Sequence, residues 1–420
     1  MTERVSLAVV GAGAAGLMAA IHAGRAGLRG VVALDSARRL GAKILVAGGG
    51  RCNVTHHAVS DRDYAGSTPA AIRRVLARFG VEDCVRFFGE LGVELKQEDT
   101  GKLFPVSDDA HTVLTALLRA CEAAGVSLRH PARVGELHRS EDGFRMHGDW
   151  GTLLADRVIL CTGGRSLPKS GSDGAGLEMA RALGHSLTDR VVPALVPLKL
   201  AEGHWLTELS GLAFPAELRV TDAVGRKLAA SRGSLLCTHF GLSGPAALDI
   251  SRHWTLARDR DPSVALQLAV MPDMDETAAD AWLLEGTGRS LLGRLRERLP
   301  ERLARAILER AGIEPGRSVQ QQDRTTRRGL ARMLTAMAVP VTGDRGFTYA
   351  ETTAGGVPLR EVRLETMESR LVPGLHLAGE MLDVDGRIGG FNFQWAWASG
   401  FVAGTAAAES ARCVEPRPIQ

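Results

Sequence analysis

Six residues near the start of the chain, Gly11-Ala12-Gly13-Ala14-Ala15-Gly16, carry the G-x-G-x-x-G spacing. The first glycine of such a set permits a tight turn, the second lets backbone approach a pyrophosphate, and the third lets a helix pack closely on a strand. A helix that starts there offers unpaired N–H donors and the positive end of its dipole, worth about 0.3–1 kcal/mol toward an anion. Asp35 adds a carboxylate that can accept a ribose hydroxyl. These residues together describe a dinucleotide site, and NAD and FAD both fit it. A second constellation separates the two. LHLAGE ends in Glu380 just after Gly379, and Gly389-Gly390 precede a long helical pattern. A helix N-terminus delivered there would stabilise the negative charge of a reduced flavin. A purely nicotinamide-dependent enzyme has no need of that element, so FAD is the expected cofactor.

The elements that must position these residues can be read around them. Residues 5–10 form a β-branched apolar run, residues 17–27 a helical pattern, and residues 31–35 a second strand, which makes a βαβ unit and a parallel sheet. A glycine-rich loop is expected over residues 40–55 and mostly helix over 69–91. A further helix, capped by Ser107, is expected to run to Gly125. Short alternating runs over 126–154 suggest a hairpin or small crossover sheet, and residues 156–161 read as a buried strand closed by Thr162-Gly163-Gly164. After about Arg190 the pattern turns β-rich, then helical from Asp273 to Met333, where Leu291, Leu295, Leu299, Leu303 and Ile307 recur every four residues. The earlier style returns near Val341. The expected organisation is a nucleotide domain in two parts, residues 1–190 and 341–420. Between them lies an insert over 191–340, β-rich over 191–272 and helical over 273–335.

Composition agrees with a folded globular protein. The chain has 420 residues, 45% hydrophobic and 24% charged, which excludes a disordered or fibrous protein. The formal charge of +3 gives no global case for binding nucleic acid or an anionic membrane. Residues 289–332 are the local exception, with 12 arginines against 5 acids. The plain reading is a solvated helical face. Residues 5–24 carry no Asp, Glu, Lys or Arg, yet three glycines and a histidine make a poor membrane span. The six cysteines, Cys52, Cys84, Cys121, Cys161, Cys237 and Cys413, lack C-x-x-C spacing and suit a reducing cytosol, so a soluble cytoplasmic protein is expected.

Other reactive residues read more modestly. Arg51 in GGGRCN could fork onto a phosphate or remain a surface loop arginine. Cys52 has no resolving partner nearby and reads as a small packed side chain. His239 in THFGLSGP precedes an expected Ser243-capped helix with Pro245 in its first turn. It is the one candidate catalytic residue, as a proton donor or substrate ligand, beside an equally open structural reading. His56 and His57 lack metal-ligand spacing, and no metal is expected. Trp395 and Trp397 read as core.

Long blocks of the chain resemble the BaiN/RdsA (YhiN-like, aminoacetone-oxidase-like) family of FAD-dependent oxidoreductases. The resemblance is carried by GAGAAGLMAA (11–20), GAKILVAGGGRCNVT (41–55), GKLFPVSDDAHTVLTAL (101–117) and CTGGRSLPKSGSDGAGLEMARALGH (161–185). It continues in THFGLSGPAALDIS (238–251), ETTAGGVPL (351–359) and TMESRLVPGLHLAGEMLDVDGRIGGFNFQWAWASGFVAG (366–404). The resemblance implies an α/β fold: a doubly wound, Rossmann-type, disulfide-reductase-like FAD domain with an inserted β-barrel-like domain and a helical subdomain. It also implies noncovalent FAD. The family commonly has Glu on the second strand where this chain has Asp35. By motif position, Gly11, Gly13, Ala14, Ala15 and Gly16 would hold the pyrophosphate. Lys43, Gly49, Gly50, Arg51, Cys52, Asn53 and Thr55 would wrap the adenosine and pyrophosphate side, with Thr162 and Gly163 lining the dinucleotide. Gly379, Glu380, Asp385, Gly389, Gly390, Asn392 and Gln394 would surround ribityl and isoalloxazine.

The expected function is transfer of a hydride or electron pair between flavin and a small organic substrate, with a nicotinamide or oxygen as second partner. No second strand-embedded G-x-G-x-x-G occurs, so NAD(P)H would bind only transiently, as a reductant. Two rivals are a flavoprotein acting on RNA through the arginines of 289–332, and a non-catalytic flavin-binding sensor. Neither nucleic acid nor membrane is an expected partner.

Overall fold

The β-branched run at residues 5–10 needs neighbours on both sides, and the fold supplies them. In the computed structural model, which describes residues 2–285 and 288–412, the strand Glu3–Val10 pairs in parallel with Gly151–Leu160 on one side and Val31–Leu34 on the other. Parallel pairing extends outward to Leu375–Leu377 and to Ser127–Arg129. The C-terminal segment thus inserts its strand into a sheet begun by the N-terminal one. Leu7, Ala8 and Val9 are fully buried, as strands covered on both faces must be. An antiparallel pair, Glu136–Ser140 and Gly143–Gly148, joins the long strand Gly151–Leu160.

The helix Ala14–Arg25 packs along the last helix, Phe391–Arg412, with backbones close together. A Cβ at Gly400 would lie 2.4 Å from the Ala15 carbonyl oxygen, and one at Gly404 would lie 2.1 Å from that of Ala19. Trp395 and Trp397 are buried and donate Nε1–H to the carbonyls of Gly379 and Val54, so they anchor this helix to the loops beneath it. The expected loop over residues 40–55 holds a helix, Ala42–Gly50, broken at Ala47. Gly48 (φ 58°) and Gly49 (φ 70°) then turn left-handed, a conformation that glycine adopts at low cost.

Asp109, not Ser107, caps the helix Ala110–Ala123. Its carboxylate accepts the His111 N–H at 2.9 Å, whereas Ser107 Oγ pairs with Thr112 Oγ1 at 2.7 Å. A carboxylate fits this place because it meets both an orphan N–H and the helix dipole. Asp109→Ala is expected to lower the thermal midpoint by a few degrees, and Ser107→Ala by clearly less, as calorimetry would show.

The chain forms two units, residues 1–192 with 351–420, and residues 193–350. The return to the first unit comes at Glu351, not at 341, because Val341–Asp344 pairs with Leu198–Leu200 in the second unit's sheet. That sheet runs Met337–Val339, Ala265–Ala269, Ala213–Thr221, Lys227–Thr238, Gly241–Ser243, Leu198–Leu200, Val341–Asp344. Its two edge strands are consecutive in the chain and separated only by Pro340, which requires the sheet to curl until its edges approach. The barrel-like form follows from that connection. Leu291 and Leu295 lie on the helix Leu291–Leu295, and Leu303 and Ile307 on Glu301–Arg310. The two are interrupted at Pro300, yet the whole leucine stripe is buried.

Nine of the 12 arginines between 289 and 332 pair with carboxylates. Arg327 meets Asp280 at 2.6 Å, Arg332 meets Glu276 at 3.1 Å, and Arg294 meets Glu297 at 2.7 Å. Asp273, Glu276, Asp280 and Glu285, all outside that stretch, supply much of the counter-charge. The basic surplus of the segment is largely an internal ion network.

Candidate functional site

The strand Glu3–Val10 delivers Gly11 (φ 98°) to the end of the sheet, and the helix Ala14–Arg25 starts from Gly13. The three fingerprint glycines have different reasons to be glycine. A Cβ at Gly11 would lie 2.6 Å from the Cys161 carbonyl oxygen, and one at Gly16 would lie 1.8 Å from that of Gly11. At Gly13 a Cβ would meet nothing within 4 Å. Two glycines therefore close the turn, and the third leaves open space at a helix N-terminus, the cradle a phosphate group fits. Asp35 holds that turn from the neighbouring strand: Oδ2 accepts the Ala12 N–H at 2.7 Å and Oδ1 accepts the Ala37 N–H at 2.8 Å. Each oxygen keeps a second lone pair for a hydroxyl. The Cys161 thiol, which the sequence reading did not single out, donates to the Gly11 carbonyl at 3.2 Å from below.

The C-terminal constellation meets this turn. A Cβ on Gly379 (φ 76°) would lie 2.8 Å from that of Ala15, and one on Gly390 would lie 2.6 Å from the Thr55 carbonyl. Glu380 accepts Lys43 Nζ at 2.6 Å and the Ser166 hydroxyl at 2.6 Å, and Lys43 also donates to Ser166 at 2.9 Å. Lys43, which the resemblance assigned to the adenosine and pyrophosphate side, is thus tied to Glu380 and Ser166. Ser166 is a buried member that sequence reasoning missed, since a lone serine in a loop carries no spacing signal. Thr353 Oγ1 accepts the Ser166 N–H at 3.1 Å and fixes it in turn.

Two side chains expected at the dinucleotide, Asn53 and Thr162, keep a buried oxygen without a partner: Asn53 Oδ1 and Thr162 Oγ1. Ser172 Oγ, beside Gly163 (φ 77°), is likewise unpartnered. Orphaned buried polar atoms cost roughly 1–3 kcal/mol each unless something completes them. Together with the open face at Gly13, three such side chains, beside Gly48, Gly176 and Gly163, fit a polar dinucleotide, so the residues present suit FAD. Gly49 (φ 70°) faces open space as well, and Gly50 (φ 88°) follows it.

Several expected ligands also make bonds within the chain. Thr55 Oγ1 donates to Gln394 Oε1 at 2.7 Å, and Gln394 Nε2 donates to the Phe79 carbonyl at 2.9 Å, all buried. The Asn392 amide closes a ring on Gly386, accepting its N–H at 2.9 Å and donating to its carbonyl at 3.0 Å. Asp385 is buried in the strand Val384–Gly386, opposite Ala65. Arg51 departs furthest from a phosphate fork. Its guanidinium pairs with Glu98 at 2.6 Å, reaches Asp108 at 3.5 Å and lies 4.0 Å from the centre of the Phe104 ring. Cys52 is fully buried, and desolvation pushes its thiol up to about 12, which makes it inert. It holds a left-handed φ of 62° without being glycine. Gly389 (φ 131°) leads into the final helix, and His56 stacks on Phe391 at 4.8 Å.

His239 lies in the second unit. It is exposed in the turn between Lys227–Thr238 and Gly241–Ser243. A strand intervenes before the helix Pro245–Arg260, and Gly244, not Ser243, occupies its N-cap. Among the described residues, Ser369 Oγ and Glu361 each lie 2.8 Å from His185, a hydrogen-bonded Ser–His–carboxylate set. Ser369 is buried and its Oγ also accepts the N–H groups of Leu371 and Val372, so this set ties loops together instead of attacking a substrate. Cys413 lies outside the described residues. Among those described, no helix is long and apolar enough to cross a membrane.

Comparison with known proteins places this arrangement. The 3-dehydro-bile acid delta(4,6)-reductase of Clostridium scindens is 35% identical over 409 residues, covering 96% of this chain and 99% of that one. The ribosomal RNA dihydrouridine synthase of Escherichia coli is 34% identical, covering 94% and 96%. The fold is shared with 3-ketosteroid delta1-dehydrogenase from Sterolibacterium denitrificans, with a TM-score of 0.52 at 13% identity, covering 97% of this chain and 100% of that one. The family described as HI0933-like protein Rossmann domain matches residues 5–406. With its glycine turn and carboxy-terminal segment meeting at one site, the chain belongs to the HI0933-like Rossmann domain family.

Proposed function

We propose that this protein is an FAD-dependent oxidoreductase working in the reductive direction, with a nicotinamide as transient electron source and a conjugated ring compound as acceptor. The observation that carries the reading is the meeting of Gly379 with Ala15 and of Gly390 with Thr55, which joins both ends of the chain around the open face of Gly13. The two relatives add chemistry: a delta(4,6)-reductase and a dihydrouridine synthase both add hydrogen across a carbon–carbon double bond.

Bound in this site, FAD supplies a ring that takes up and releases a hydride. The chain's own residues hold and orient it. The amides at the start of Ala14–Arg25 face the pyrophosphate, and Asp35 offers its free lone pairs to the ribose. Asn53, Thr162 and Ser172 complete their unpartnered oxygens on the dinucleotide. The N-terminus of Phe391–Arg412, fixed by Tyr64 Oη on the Phe391 carbonyl (2.8 Å), directs positive potential toward the flavin. Lys43, held by Glu380 and Ser166, keeps a cation at the same end without leaving a net charge.

Anaerobic mixing with NADH and NADPH in separate experiments tests this reading. Bleaching of the flavin absorbance by one of them, and its return on adding an enone acceptor, is the expected result. A protein that stays oxidised with both nucleotides but is bleached by an amine would be an oxidase, and the reductive reading would fall.

A further inference from the structure

His56 lies where three segments of the first unit meet. Its ring stacks on Phe391, the first residue of the final helix, with 4.8 Å between ring centres and 22° between planes. A Cβ at Gly389, just before that helix, would lie 3.7 Å from the imidazole Cδ2. One at Gly101 (φ 83°) would lie 2.6 Å from Cε1 and Nε2, so the loop 98–101 sits flush against the ring. The two ring nitrogens have different partners. Nε2 lies 3.1 Å from the Thr100 carbonyl and therefore carries a proton. Nδ1 meets both polar groups of Ala58, the carbonyl at 2.8 Å and the N–H at 3.2 Å. A neutral ring accepts from that N–H, and a charged ring donates to that carbonyl. His56 can thus gain or lose a proton at Nδ1 with a partner in either state and without a change of rotamer.

The charges around this ring are largely matched. Arg387, whose Cζ lies 5.1 Å from the centre of Phe391, pairs with Asp63, and Arg51 pairs with Glu98 of the loop 98–101. Asp99, the other acid of that loop, is exposed, and Lys102 stands opposite His56 in the strand register. His57 is tilted against His56 at 4.7 Å, with its Nδ1 3.3 Å from the Gly101 carbonyl. Tyr64 meets Phe391 edge to face at 6.2 Å, and burial pushes its phenol well above the ordinary value, so it stays neutral. We propose that His56 is a positioning residue for the redox step, one that takes up a proton at Nδ1 when the flavin is reduced. The inference rests on the reductase reading, in which the N-terminus of Phe391–Arg412 is directed toward the flavin. A hydride brings two electrons and one proton and leaves one negative charge on the reduced ring. A further proton, taken from water and bound at Nδ1, balances that charge. The imidazolium adds to the positive end of the helix dipole from across Phe391.

The test is spectroelectrochemical titration of the FAD-loaded protein from about pH 5 to about pH 9, which needs no turnover. His56→Phe keeps a ring against Phe391 and removes the proton site. At the acid end the parent's midpoint potential should exceed that of His56→Phe by a threefold to tenfold shift in the reduction equilibrium, about 14 to 30 mV. The two should converge at the alkaline end, where a histidine is neutral in both redox states. His56→Gln, which keeps an amide donor for Thr100 but no titrating nitrogen, should follow His56→Phe. His57→Gln should follow the parent. Thermal midpoints of all four proteins show whether each is folded. Lower thermal midpoints in both His56 variants, with potentials that run parallel to the parent's, would mean a purely structural ring and overturn the proposal. A His57→Gln protein that behaves like His56→Phe would overturn it too, because the titrating group would then be the neighbouring ring. A parent that takes up no FAD would sink the flavin reading and this one with it, whereas parallel curves in a yellow protein remove only the proton uptake.

Discussion

Gly13→Val is expected to give a colourless protein that remains folded. Gly13 adopts φ −80°, ψ −163°, which any residue can take, and a side chain there would project into open space. The cost to the helix N-terminus is below about 1 kcal/mol. The space it would fill is the one a pyrophosphate must enter to reach the amides of Ala14–Arg25. FAD affinity should therefore fall at least ~100-fold, about 2.7 kcal/mol or more. Gly16→Val is the opposite case, because its Cβ would collide with the Gly11 carbonyl inside the fold and cost several kcal/mol of stability. Reconstitution with FAD followed by flavin fluorescence, alongside circular dichroism, separates the two. A yellow Gly13→Val protein with parental affinity would show that the cofactor does not approach through this face.

That contrast also marks how far the residues could be read without coordinates. The turn, the strand before it and the helix after it are local, so glycine spacing and β-branched runs reveal them. The return of the chain at LHLAGE was legible for the same reason. What could not be read was pairing between distant segments. Arg51 in GGGRCN looks like a phosphate ligand from spacing alone, which cannot show that Glu98 and Asp108 arrive beside it from two other loops. Gln394 and Thr55 look like ligands until they are seen bonded to each other. Ser166 owes its place to Lys43, Glu380 and Thr353, which are remote in sequence. The Ser369–His185–Glu361 set is equally invisible to spacing, and only its burial shows that it is structural. The arginines of 289–332 were legible as a surplus, but their neutralisation depends partly on carboxylates of the preceding helix Glu276–Leu284, which take Arg327, Arg328 and Arg332. Composition reports charge, whereas only packing shows which charges remain available.

Packing also sets the acid stability of the first unit. His22, near the end of the helix Ala14–Arg25, is surrounded by Phe401 at 4.7 Å, Phe87 at 5.4 Å and Phe79 at 6.3 Å, and its Nε2 has no hydrogen-bond partner. Desolvation, reinforced by the Arg25 charge, brings its pKa down from 6.5 to about 4. The unfolded chain therefore binds a proton on this ring at a higher pH than the folded one does. The stability involved is fully present above pH 6.5 and is lost as pH falls from there toward 4, below which the folded ring is protonated too. The whole step is about 3 kcal/mol, of which roughly 2 kcal/mol is already gone near pH 5. His22→Leu removes the titration while keeping the contacts with the three rings. Its unfolding free energy, measured by urea titration at about pH 5 and about pH 7 with FAD in constant excess, should differ between the two conditions by about 2 kcal/mol less than that of the parent. His376, buried and also lowered, contributes to both proteins alike, so the difference between them isolates His22. Parallel pH profiles for parent and variant would mean that the aromatic pocket admits water and leaves the ring free to titrate.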